Sequence, residues 1–127
     1  MNRLVALLFS GLLLCGCETQ APWKPLGGGC QYREVPGTCR FETLTPSGPN
    51  AYGEGVRTLF TFLPESDREK PESDIRMTIG DGQDPTTRYL EENRIEAGKS
   101  FRCTRKLRIL GPCSPEVFVF PDFRNVY

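Results

Sequence analysis

The chain contains no histidine. That removes the side chain that most often moves protons near neutral pH, and with it the usual nitrogen ligand of zinc. Net charge is also missing, since 16 Lys and Arg stand against 16 Asp and Glu. Such a balance argues against a general binder of nucleic acid or other polyanions. No Gly-x-Ser-x-Gly elbow and no phosphate-binding P-loop occurs, so two common nucleophile and nucleotide signatures are absent. A single apolar run has a length relevant to membranes, and it lies at the N-terminus.

That run sets the compartment. Met1-Asn2-Arg3 supplies one positive charge, and Leu4 to Leu14 is almost wholly apolar. A charged n-region followed by a short h-region is the layout of a secretory signal. About 11 residues rise about 16 Å as a helix, roughly half a bilayer core, which is too short for a permanent span. The run closes on Leu14-Cys15-Gly16-Cys17. This stretch resembles the lipobox of bacterial lipoproteins, which reads Leu, a small residue, Gly or Ala, then Cys. Leu14, Gly16 and Cys17 match, with Cys15 in the second place. The resemblance covers residues 1–17. It implies a signal peptide over residues 1–16 and a mature chain beginning at Cys17, with diacylglycerol on the Cys17 sulfur and an acyl chain such as palmitate on its amine. One acyl chain anchors weakly; two or three hold a protein on a membrane. In that family an Asp after the cysteine often marks retention at the inner membrane. Glu18 stands there instead, which points to the periplasmic side of the outer membrane, with the inner membrane as the alternative.

Taking residues 1–16 from the 127 leaves 111, the size of one small domain with a core of its own. Residues 17–29 are rich in Pro and Gly and read as a lipidated tether; Trp23 within it reads as a packing or interfacial residue. Residues 30–127 form the single domain.

Cys15 leaves with the signal and Cys17 takes lipid. Cys30, Cys39, Cys103 and Cys113 remain. Four cysteines in an exported domain read as two disulfides, with three connectivities open. The spacings C-x8-C and C-x9-C, without a C-x2-C pair, do not suit zinc.

Alternation and turn residues mark five main strands after a short leading one. Gln31 to Val35 is a short strand before a turn at Pro36-Gly37. Thr38 to Thr45 alternates, with Cys39, Phe41 and Thr43 on one face. Pro46 to Gly55 reads as a loop. Val56 to Leu63 is β-branched and aromatic on both faces, and the polar segment 64–74 follows it. Ile75 to Ile79 resumes alternation and ends at Gly80-Asp81-Gly82. Asp84-Pro85 starts a helix over Thr86 to Asn93, with Asp84 as cap and Asn93 in the left-handed closing position. Ser100 to Ile109 is the clearest strand. Phe101, Cys103, Leu107 and Ile109 share one face, which Arg105 interrupts. Val117 to Phe120 is the last strand, and no element is assigned to the tail from Asp122. The five main strands, from Thr38 onward, with a helix between the third and fourth give the element order of a small OB-like barrel; another small β-sandwich is the alternative.

A tight turn at Gly111-Pro112 would leave Cys103 roughly 16 Å from the residue facing Cys113, at about 3.3 Å per residue. A disulfide needs Cα atoms within about 7 Å. The first and fourth strands of an OB barrel are neighbours, so Cys39–Cys103 and Cys30–Cys113 are the expected bonds.

Candidate chemistry is sparse. Glu65, Asp67, Glu69, Glu72 and Asp74 could pair for hydrolysis of a glycan, but a polar loop explains them as solvated surface. Asp81-Gly82-Gln83-Asp84 has two acidic positions of a calcium loop and lacks the others; a turn and a helix cap explain it. Arg102, Arg105, Lys106 and Arg108 make the fourth strand basic, a candidate anion-binding face. Its target in an envelope would be an anionic glycan, a lipid head group or an acidic envelope protein, and not nucleic acid. No catalytic set, metal site or cofactor is assigned. The expectation is a non-enzymatic binding module on the cell envelope, with a glycan hydrolase as the alternative.

Overall fold

β1 (Gln31–Asn50) is a 20-residue strand on which the other four are arranged. Gln31 to Arg40 pairs antiparallel with β4 (Ser100–Leu110) and Gly37 to Asn50 with β2 (Gly53–Pro64), so Gly37 to Arg40 has partners on both sides. β3 (Glu72–Arg76) adds to the free side of β2, and β5 (Glu116–Val119) to the free side of β4. The order is β3-β2-β1-β4-β5. Helix α1 (Thr87–Glu92) follows β3 in the chain. The computed structural model describes residues 29–126. The lipobox, Cys17, Trp23 and the tether up to residue 28 lie outside them.

Five antiparallel strands with one short helix between β3 and β4 are what the sequence predicts. The sheet curls into a half-barrel. Phe118 on β5 packs against Phe60 and Phe62 on β2, with ring centroids 5.1 and 5.6 Å apart. The two edge strands do not meet, however. No Cα of β3 lies within 8 Å of a Cα of β5, well beyond the roughly 4.8 Å between paired strands.

Phenylalanine makes the core. Phe41 and Phe60 are almost wholly buried. They join Phe101, Phe118, Phe120 and Phe123 in one set of ring contacts between 4.6 and 6.2 Å. Both expected disulfides are present. Cys39–Cys103 lies in this core between β1 and β4, with Cα atoms 5.9 Å apart, and Cys30–Cys113 ties the start of β1 to the β4–β5 turn at 6.0 Å.

Several boundaries differ from expectation, each for a local reason. Pro36-Gly37 does not turn the chain but sits inside β1. The Pro36 carbonyl accepts from Glu65 N at 3.1 Å, so its nitrogen faces the same way, past the end of the β1–β2 ladder at Gly37↔Pro64. A proline there removes no ladder bond. The expected inward position of Thr43 passes to Leu44, because a bulge at Glu42 shifts the register between Phe41 and Thr43. Residues 46–50 continue β1, and Asn50↔Gly53 closes a two-residue hairpin. β3 begins earlier than Ile75 and stops at Arg76, since Ile79 bridges Gln83 across the Gly80-Asp81-Gly82 turn. Thr86, not Asp84, caps α1 by accepting from Tyr89 N at 3.1 Å. Arg94 (φ 55), not Asn93, takes the left-handed position. Ile109 is 65% exposed at the strand end, outside the core.

Candidate functional site

Because all four ladders are antiparallel, β1, β3 and β5 run in one direction and β2 and β4 in the other. The two edges of the half-barrel therefore point the same way. Between them lies a groove of about 910 Å³, within the range of ligand-binding clefts. Ile75, Met77 and Ile79 form one wall; Val117 to Phe120 form the other; Phe60, Tyr89 and Phe123 lie beneath.

Among the described residues, main-chain groups of both walls have no strand partner on the groove side. Met77 N donates to Thr58 O at 2.9 Å, so by alternation the N–H of Arg76 faces the groove. Arg108 N donates to Pro115 O at 2.9 Å, so by the same rule the N–H groups of Glu116 and Phe118 face it from the other side. A second, shallower hollow of about 520 Å³ runs beside α1, between Leu44, Val56, Leu90 and Ile95.

One end of the groove is held by charge. Arg105 reaches Glu116 on β5 at 2.8 Å and Glu72 on β3 at 3.4 Å, and it lies over the Phe62 ring at 5.9 Å. Burial, and then contact with the Glu116 carboxyl, hold the Glu72 pKa above the ordinary carboxylate value, against the charge of Arg105. Glu72 Oε2 is buried and makes no hydrogen bond among the described residues. Two carboxyls in contact do not have the glycosidase spacing, which is about 5 Å for retention and about 6.5–9.5 Å for inversion.

A second charged cluster braces the opposite part of β3. Asp84 is buried and accepts from Arg76 at 2.8 Å and from Arg57 at 3.3 Å. Burial alone would raise its pKa. Hydrogen bonds from Arg76 and Ser47, with the charges of Arg76 and Arg57, outweigh burial and hold it below the usual range. Asp84 is thus committed to arginine, while Asp81 is exposed. Among the described residues no group of three Cys, Asp or Glu side chains is placed to hold a metal ion.

The four cations of the candidate anion face are not brought together. Arg102 and Arg108 are exposed on the outer face of β4, with Lys106 half-buried between them. Arg102 pairs with Asp122 at 3.1 Å, Lys106 with Glu34 at 3.4 Å, and Arg108 donates to the Cys113 carbonyl. Arg105 projects from the opposite face into the Glu72–Glu116 pair. Of the acidic loop, Glu69 pairs with Arg33 and Glu65, Asp67 and Asp74 are exposed. Sequence reasoning missed the tail. Phe123 stacks on Phe120 at 4.6 Å, and Asn93 grips Arg124 through two hydrogen bonds of 3.0 and 2.6 Å. Its signal in the sequence is Phe123, an aromatic residue close after Phe118 and Phe120.

No family model, curated protein or solved structure matches this chain.

Proposed function

We propose that the protein is a lipid-anchored envelope protein whose β domain is a non-enzymatic binding module, with the groove between β3 and β5 as its binding site. One observation carries the binding reading: the groove has an aromatic floor and two walls whose main-chain donors face it without strand partners among the described residues. Exposed strand edges template pairing with another chain unless they are covered. The anchor rests on the lipobox at Leu14-Cys15-Gly16-Cys17. The acylated Cys17 and the tether after it would hold the domain at the periplasmic side of the outer membrane. The disulfides fit an exported chain, since oxidising compartments preserve them.

Two measurements test this separately. Cys17→Ser is expected to abolish incorporation of labelled palmitate and to move the chain out of the membrane fraction; unchanged labelling and fractionation would refute the anchor. A photocrosslinking residue at Ile75, which is half-buried on the groove wall, is expected to capture an envelope protein. The same probe at Arg102, on the outer face, should not capture that protein. Equal capture at both positions would refute the site.

A further inference from the structure

The occupant of the groove can be read from its geometry. β3 and β5 run in the same direction, with their first residues, Glu72 and Glu116, at the same end. Their Cα atoms are more than 8 Å apart. A strand placed between two others needs edges separated by two ladder spacings, about 9.5 Å. Moreover, one strand running opposite to both would be antiparallel to each. It would convert the open sheet into a six-stranded barrel with every neighbour antiparallel, which removes both exposed edges.

The chemistry of that strand follows from its surroundings. Residues facing inward would meet Phe60, Tyr89 and Phe123, so alternate positions must be apolar. A strand antiparallel to β3 and β5 ends at Glu72 and Glu116. Two carboxyls share the single guanidinium of Arg105 there, which leaves an excess of negative charge for a cation to complement. The chain's own segment 18–28 fits poorly. Pro22 and Pro25 lack the N–H a strand paired on both sides must donate.

We propose that the groove takes one extended segment of a partner protein, as a sixth strand antiparallel to β3 and β5, with alternating apolar residues and a lysine or arginine near its C-terminal end. This rests on the binding-module reading above and names the partner's chemistry. Recognition by strand addition draws affinity from main-chain hydrogen bonds and selectivity from pockets for alternate side chains.

The test uses the full chain in detergent and a blocked synthetic peptide of alternating valine and threonine with lysine at the last position. Titration calorimetry is expected to show saturable one-to-one binding. Amide exchange should slow at Arg76, Glu116 and Phe118 in the complex. N-methylation of the odd peptide amides removes the donors to one wall, and of the even amides those to the other. Each change is expected to weaken binding by at least about tenfold, the effect of losing one to two hydrogen bonds. Replacing the terminal lysine by glutamate should weaken it by about tenfold as well. Absence of binding at millimolar peptide would overturn the proposal, as would indifference to methylation of either set. Binding that appears only after deletion of residues 18–28 would overturn it in favour of the chain's own segment. Dimerisation through the same amides in place of peptide binding would overturn it in favour of a second copy. If the probe at Ile75 still crosslinks an envelope protein while no peptide binds, the sixth strand fails and the binding module stands.

Discussion

Asp84 joins three elements through two oxygens. It receives Arg76 at the end of β3 and Arg57 from β2, just ahead of the α1 cap. Both arginines are about half exposed, so the cluster is worth less than a buried ion pair. Asp84→Asn is expected to lower stability by about 1–2 kcal/mol, read as a lower urea midpoint with an unchanged slope. Its pH dependence has a definite sign. The folded pKa of Asp84 lies below its unfolded value, so its contribution is complete above the unfolded value and is lost as pH falls through the depressed one. Glu72 works the other way. Its folded pKa is raised, by burial first and then by Glu116, so its proton favours the folded state at low pH and that advantage is lost as pH rises through the raised value. Glu72→Gln is therefore expected to raise stability near neutral pH by a few tenths of a kcal/mol, a small effect because the site is partly solvated. It should have no such effect near pH 4, where urea curves of the two proteins should converge. Replacing Cys39 and Cys103 together by alanine should cost about 2–5 kcal/mol.

At the scale of elements, β1 is the part that cannot be altered without moving everything else. A Cβ on Gly37 would stand 2.4 Å from the Leu63 carbonyl oxygen and 2.6 Å from the Phe62 ring. Gly37→Ala is thus expected to cost about 1–3 kcal/mol or more, measured by thermal melting, whereas alanine at Gly29, which meets nothing within 4 Å, should leave the midpoint unchanged. Much of the sheet was legible because its signals are local. Ser100 to Ile109 alternates, Val56 to Leu63 is β-rich, and turn residues bound both. The cross-strand position of Cys39 and Cys103 followed from strand adjacency alone. What was not legible depends on partners far along the chain. Pro36-Gly37 reads as a turn unless one knows that β2 ends opposite it. The bulge at Glu42 leaves no compositional trace. Asp84 has the residue type of a helix cap, but the arginines on β2 and β3 claim it and Thr86 caps instead. The Glu72–Arg105–Glu116 cluster joins three segments whose contact no spacing rule predicts.

For the described residues taken together, the consequence is a half-barrel whose edge strands do not pair with each other. Its core is nonetheless continuous, because Phe118, Phe120 and Phe123 cover the interior from the β5 side. Phe123→Ala is expected to cost about 2 kcal/mol, less than a fully buried phenylalanine, and to release the tail from Asn93. A proteolysis assay that shows no faster cleavage after residue 120 would count against that docking. The candidate site, unlike the strands, was invisible in sequence, since it is made by the distance between two edges and not by a motif. Amide hydrogen exchange on the isolated full chain tests that distance directly. The open-seam account predicts fast exchange at Arg76, Glu116 and Phe118, and exchange slower by orders of magnitude at ladder amides of β1, β2 and β4. Protection at those three amides equal to that of the central ladders would mean that the seam is already closed, and would contradict the account.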